Sequence, residues 1–193
     1  MIVGCLAALG MMLAGCTKDN PLAPPDQAVS KTAGVSGQQI QMLKLPGTPS
    51  LGKIYTASSL ITAKDGGKLV LDCKDRAGAG ENFSVHIELR FEPGTITDDF
   101  VATLTMDSYY LMSTVDMQFG PHGSTFLKPA ILSANVVGVD LTGFTKDAPP
   151  NLYYDDNGTW VPMQGEVKID PKHLKLECKD GELPHFSRYC FGR

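Results

Sequence analysis

The chain has 193 residues, 42% of them hydrophobic, with 17 Lys or Arg against 21 Asp or Glu and a formal net charge of −4. That balance excludes the basic footprint of a nucleic-acid binder. The stretch past residue 50 is one domain's worth of chain, long enough to bury a full core.

From Met1 through Gly15 no side chain is charged. The run is shorter than the roughly 20 apolar residues a helix needs to cross a ~30 Å hydrocarbon core. It reads as the apolar segment of a signal peptide over residues 1–15, with a buried core helix beginning at Met1 as the competing reading. Leu13, Ala14, Gly15 and Cys16 close the run and resemble the lipobox of bacterial lipoproteins: a branched apolar residue, two small residues, then cysteine. Small residues let an extended chain enter a peptidase cleft, and the thiol is the nucleophile that receives the diacylglycerol. Ile2, Val3, Gly4 and Cys5 fit the pattern loosely, but no apolar segment precedes them.

The resemblance implies an exported lipoprotein, cleaved before Cys16 and held by acyl chains of the palmitate kind. More than one chain is needed for firm anchoring, since a single one gives only about 10⁴ M⁻¹. Thr17, rather than Asp, follows the cysteine, which in the same scheme implies delivery to the outer membrane or cell surface of a bacterium.

Residues 16–50 change character. Pro21, Pro24, Pro25, Pro46 and Pro49 interleave with Gly34, Gly37, Gly47 and small polar residues. Such a composition holds too little apolar surface to offset its ordering entropy, and it predicts an extended, disordered tether. Ile40, Met42, Leu43 and Leu45 stand out within it as a short segment able to pack on the domain that follows.

Residues 51–193 carry strand signals and no sustained helical periodicity. Leu69 and Leu71 fall at period two beyond the Gly66–Gly67 turn. Phe83, Val85, Ile87, Leu89 and Phe91 alternate without a break against Ser84, His86, Glu88 and Arg90, so one face is buried and one is wet. Strands follow over 101–106, 109–115 and 130–139. Asn157–Gly158 is a strong hairpin signal, because a type I′ turn needs positive φ at both central residues; it joins strands over 152–154 and 160–163. Strands over 167–169, 174–178 and 186–191 complete the set. Short strands at regular spacing predict an all-β fold, an immunoglobulin-like antiparallel β-sandwich.

The strand junctions carry a resemblance. In order, they are Gly66-Gly67-Lys68-Leu69, Phe91-Glu92-Pro93-Gly94 and the block GPHGSTFLKPA over 120–130. Leu152-Tyr153-Tyr154-Asp155 with Trp160 follows, and then His185-Phe186-Ser187-Arg188-Tyr189. Together they resemble the ZU-five domain of ankyrins, netrin receptors and zonula-occludens proteins over nearly the whole of 51–193. In the block, Gly120-Pro121-His122-Gly123 turns the chain, Phe126 returns to the core and Pro129 starts the next strand. The resemblance implies an interaction or structural module. It also implies one chemical option: some relatives cleave themselves between Phe and Ser of an HFS motif, here the Phe186–Ser187 bond.

In that reaction Ser187 would attack the Phe186 carbonyl, and His185, His86 or His173 would serve as general base. The competing reading buries Phe186 in an alternating strand and turns His185 and Ser187 outward. Cys73, Cys178 and Cys190 are candidate disulfide partners in an oxidising compartment, Cys178–Cys190 or Cys73–Cys178, or else three buried thiols. No C-x-x-C pair exists, and Asp98, Asp99, Asp155, Asp156 and Asp170 lack the spacing of a calcium loop, so no metal and no cofactor are expected. Tyr109, Tyr110, Tyr153, Tyr154 and Trp160 could form an aromatic patch for a glycan. The expectation is a non-enzymatic module, anchored through Cys16, that meets an envelope protein or acts as a structural part. A self-cleaving domain and a carbohydrate-binding surface module are the alternatives.

Overall fold

In a computed structural model, residues 40–45, 54–76, 82–107, 116–120 and 125–193 are described. They belong to one compact unit, Thr32–Arg193. The cleavage and acylation site expected at Cys16, the strand expected over 109–115 with Tyr109 and Tyr110, and residues 121–124 of the GPHGSTFLKPA block lie outside the described residues.

The described elements are all strands: β1 (Ile54–Ile61), β2 (Gly67–Arg76), β3 (Asn82–Phe91), β4 (Phe100–Asp107), β5 (Asp116–Gly120), β6 (Thr125–Val137), β7 (Asn151–Asp156), β8 (Thr159–Pro162), β9 (Glu166–Asp170), β10 (Lys175–His185) and β11 (Arg188–Gly192). They form a six-stranded sheet in the order β1-β4-β5-β11-β7-β8 and a five-stranded sheet in the order β2-β3-β6-β10-β9. Every ladder is antiparallel. The protein is all-β, a sandwich of two antiparallel sheets over a shared core.

The period-two segment becomes β3, buried at each of Phe83, Val85, Ile87, Leu89 and Phe91. It pairs with β2 on one side and β6 on the other, which places its apolar face against the six-stranded sheet. Its outward face is laced with charge: Lys68 Nζ lies 2.9 Å from Glu88, and His86 Nδ1 lies 2.6 Å from Asp72. Asn157 and Gly158 have φ of 51° and 87°, and Asp156 pairs with Thr159 around them, as the hairpin signal requires.

The short apolar segment named in the sequence reading packs on the domain, and two details of the strands differ from that reading. Residues 40–45 dock on the sandwich, so the compact part begins before residue 51. Gln41 exchanges backbone hydrogen bonds with Arg193, Leu43 N–H donates to Phe191 at 2.7 Å, and Leu43 and Leu45 are buried. Apolar burial holds this segment where its neighbours' composition predicted only tether. Pro129 sits inside β6 rather than at its start, at an exposed position where β6–β10 pairing skips from Ala130–Leu183 to Thr125–His185, so the missing N–H is not needed. Leu174 belongs to the turn before β10, with φ of 48°.

Candidate functional site

The tail expected as one strand over 186–191 is a corner. β10 ends at His185 in the five-stranded sheet and β11 begins at Arg188 in the six-stranded one. Phe186 and Ser187 carry the chain across. Phe186 is 3% exposed, with its ring edge-on to Phe126 at 4.9 Å, Phe100 at 5.5 Å and Phe91 at 6.0 Å. Burial of one such side chain stabilises by about 1.5–3 kcal/mol, and edge-to-face contacts add about 0.5–1.5 kcal/mol each. Two residues on, Tyr189 is fully buried and its hydroxyl donates to the His185 carbonyl at 2.5 Å. Burial drives the Tyr189 phenol well above its ordinary range, so it stays protonated and stays a donor.

Ser187 is half-buried, and its hydroxyl donates to the backbone carbonyl of Asp155 on β7 at 2.8 Å. The Asp155 carboxylate accepts from Gly158 N–H at 2.6 Å, which tightens the hairpin, and its other oxygen lies 3.8 Å from Arg188. The Arg188 guanidinium in turn lies 5.4 Å from the centroid of the Trp160 ring. His185 packs its ring edge-on to Tyr154 at 5.0 Å. The corner is therefore built from its own tail and the β7–β8 hairpin.

For self-cleavage, a base must stand within about 2.6–3.2 Å of the Ser187 hydroxyl. The hydroxyl instead meets an amide carbonyl, which accepts a hydrogen bond but is too weak a base to take the proton. His86 is paired with Asp72 on the outer face of β3, and His173 with Asp170 at 2.6 Å in the turn before β10. Among the described residues, then, Ser187 is brought to Asp155 and not to the ring of a histidine. The non-glycine residues with positive φ are Asn157, Leu174 and Asp180, so the Phe186–Ser187 bond is not flanked by left-handed backbone.

The cysteine candidates separate. Cys73 on β2 faces Val85, Cys178 on β10 faces Ala134 and Val167, and Cys190 on β11 faces Tyr153 and Asp116. No two share a register position, and all three are buried thiols, the alternative that the sequence reading set beside the two disulfide pairings. Burial pushes the Cys73 thiol up to about 11 and Cys178 to about 12, so neither ionises near neutral pH.

The acidic turn residues bind turns of the chain: Asp99 accepts from Ala63 N–H at 2.8 Å in the turn between β1 and β2, and Asp170 accepts within its own turn from Lys172 N–H and His173. Among the described residues no three His, Cys, Asp or Glu side chains gather as a ligand set. Of the aromatic residues, Tyr154 packs inward toward Tyr189, Tyr153 sits half-buried opposite Pro162, and Trp160 lies beneath Arg188.

One surface was missed by the sequence reading. β1 and β4 lie side by side and show Ile54, Thr56, Ser58 and Leu60 outward beside Val101, Thr103 and Thr105. Ile54, Leu60 and Val101 are 63%, 62% and 57% exposed, and none of the seven is charged. Leu60 stands opposite Val101, and Ser58 Oγ lies 3.2 Å from Thr103 Oγ1. No known protein family, curated protein or solved structure matches the chain.

Proposed function

We propose that the protein is an exported lipoprotein, held on a membrane through acylated Cys16, whose sandwich works by contact and not by catalysis. The observation that carries the contact reading is the difference between the two outer faces. The face of β2 and β3 holds ion pairs that water solvates well, while the face of β1 and β4 exposes three large apolar side chains among the uncharged Thr56, Ser58, Thr103 and Thr105. Exposed apolar side chains grouped together mark contact sites more often than isolated ones do.

The lipobox at Leu13 to Cys16 supports the anchor, and the ZU-five-like motifs support an interaction or structural module at the cell envelope. The hydrogen bond of Ser187 to a carbonyl favours a structural corner over self-cleavage. The Arg188 guanidinium over Trp160 leaves that ring less available for stacking on a sugar.

Detergent-phase partition and intact mass of the membrane-extracted protein test the reading together. The expected result is a detergent-phase protein with an acylated Cys16 and a chain that still ends at Arg193, moved to the aqueous phase by Cys16→Ser. An unacylated chain sinks the anchor, and loss of the seven residues from Ser187 sinks the non-catalytic reading.

A further inference from the structure

On one flank of β11, β5 pairs with Arg188, Tyr189 and Cys190. Residues 191–193 are paired on that flank by the docked segment instead. Gln41 and Arg193 exchange backbone hydrogen bonds at 2.8 and 3.0 Å, and Leu43 N–H donates to Phe191. β7 holds the opposite flank as far as Gly192. Further along, the Lys44 carbonyl accepts from Asp140 N–H, and the Lys44 charge acts on the Asp140 carboxylate. Leu43 and Leu45 join the core.

The receiving surface is shaped for this strand. A Cβ at Gly192 would stand 2.8 Å from the Gln41 carbonyl oxygen, and one at Gly143, where φ is 88°, would stand 2.6 Å from Gln41 Nε2. The two bare glycines leave room for Gln41, whose side-chain amide donates to the Thr142 carbonyl at 3.1 Å. The Arg193 guanidinium lies 5.9 Å from the centroid of the Phe144 ring and ties the two walls of the slot together. The slot thus reads Gln41, Leu43 and Leu45 at alternate positions, with Lys44 as the charge partner of Asp140.

We infer that this slot is a strand-acceptor site that also takes residues 41–45 of a neighbouring copy, so that two sandwiches link by exchanging these segments. The walls of the slot, residues 140–144 and 191–193, are far along the chain from the strand that fills it. Each hydrogen bond, each buried leucine and the Lys44–Asp140 attraction is remade when the strand comes from an identical chain. A vacated slot is unstable: it leaves Arg193 N–H and the Phe191 carbonyl as an unpaired edge and uncovers the apolar floor beneath Leu43 and Leu45. Exchange is therefore reciprocal, with both slots filled.

The inference rests on the contact reading and gives it a partner, at a place apart from the face of β1 and β4. Concentration decides between the two arrangements. A strand on a short linker meets its own slot at an effective concentration of about millimolar order, so dilute chains keep their own strand. Anchoring at Cys16 gathers copies on one surface and raises their local concentration toward that range.

The test uses the full chain purified in detergent and oxidised with copper–phenanthroline. Lys44 and Asp140 oppose each other across an antiparallel bridge, where Cβ atoms lie about 4.5–5.5 Å apart, within reach of a disulfide once the backbone adjusts slightly. A chain carrying both Lys44→Cys and Asp140→Cys should close within itself when dilute, which verifies the filled slot. A Lys44→Cys chain concentrated together with an Asp140→Cys chain should give a reducible dimer, whereas either alone should not. Adding Leu43→Glu to the Lys44→Cys chain puts a carboxylate where a buried leucine sits, and should lower the dimer yield at least about tenfold. A double variant that closes within itself while the concentrated mixture yields no dimer overturns the inference. So does a dimer that Leu43→Glu leaves unchanged, or a double variant that never closes. Intact mass of the same samples reads the contact proposal separately: an acylated, uncut chain that does not exchange leaves that proposal standing with another partner, and a cut chain removes it.

Discussion

Tyr189 reaches back four residues to bond the carbonyl of His185, so the last strand is fastened to the end of the strand that precedes the corner. Tyr189→Phe keeps the ring and leaves that buried carbonyl without its partner. The expected loss is about 1–3 kcal/mol, read as a lower urea midpoint at unchanged slope. Phe186→Ala, which empties the contact with Phe91, Phe100 and Phe126, should cost about 3–5 kcal/mol.

Ser187→Ala removes one hydrogen bond, to the Asp155 carbonyl. A loss of about 1 kcal/mol is expected, with the same C-terminal mass as wild type. A wild-type chain that sheds its end while the Ser187→Ala chain keeps it would show that the serine acts chemically.

Two glycines should separate by their surroundings. Gly66 has φ of 73°, and a Cβ there would stand 2.1 Å from the Phe91 carbonyl oxygen; Gly158 has φ of 87° with open space around it. Both pay for left-handed backbone, about 1–2 kcal/mol for alanine, but Gly66→Ala must also displace backbone. Thermal unfolding should therefore place Gly66→Ala clearly below Gly158→Ala.

Acid should loosen the docked segment 40–45. The Asp140 carboxyl is held below its ordinary range, first by the Thr142 hydroxyl, then by the Thr142 N–H, with Lys44 contributing charge. A lowered folded-state value means that its stabilisation is complete above the unfolded value of about 3.9 and fades as pH falls through the lower one. Asp140 also donates its N–H to the Lys44 carbonyl at 2.8 Å. Amide exchange at Leu43, corrected for intrinsic rate, should become less protected below about pH 4, and Asp140→Asn should flatten that dependence.

Thiol labelling should follow burial. Cys73, Cys178 and Cys190 are expected to resist iodoacetamide at pH 8 in the folded protein and to react in denaturant without reductant. Peptide mapping distinguishes them, and a bridged pair would stay unlabelled until reduced.

The sequence made some of this legible and hid the rest for physical reasons. β3 and the Asn157–Gly158 hairpin could be read because one has a single wet face and the other needs a backbone conformation few residues accept. β1 could not be read: its outward Ile54 and Leu60 are as apolar as its inward Ala57 and Ile61, so period two leaves no contrast. Phe186 was legible as a core residue, but the sheet change on either side of it is tertiary and leaves no periodicity to find. The cysteines could not be paired from spacing alone, because which strands are neighbours decides whether two thiols can meet. The partnership of Ser187 with Asp155 was equally hidden, since it joins positions 32 residues apart.

The docking of residues 40–45 has a mechanical consequence. Tension arriving along the chain from its N-terminal side meets the Gln41–Arg193 bonds first, then Leu43–Phe191, and then the bond between Lys44 and Asp140. These contacts would yield in sequence, each release lengthening the chain by a few residues before the pull reaches β1. A pull from that side would therefore peel off residues 41–44 before it strained the ladders of the sandwich.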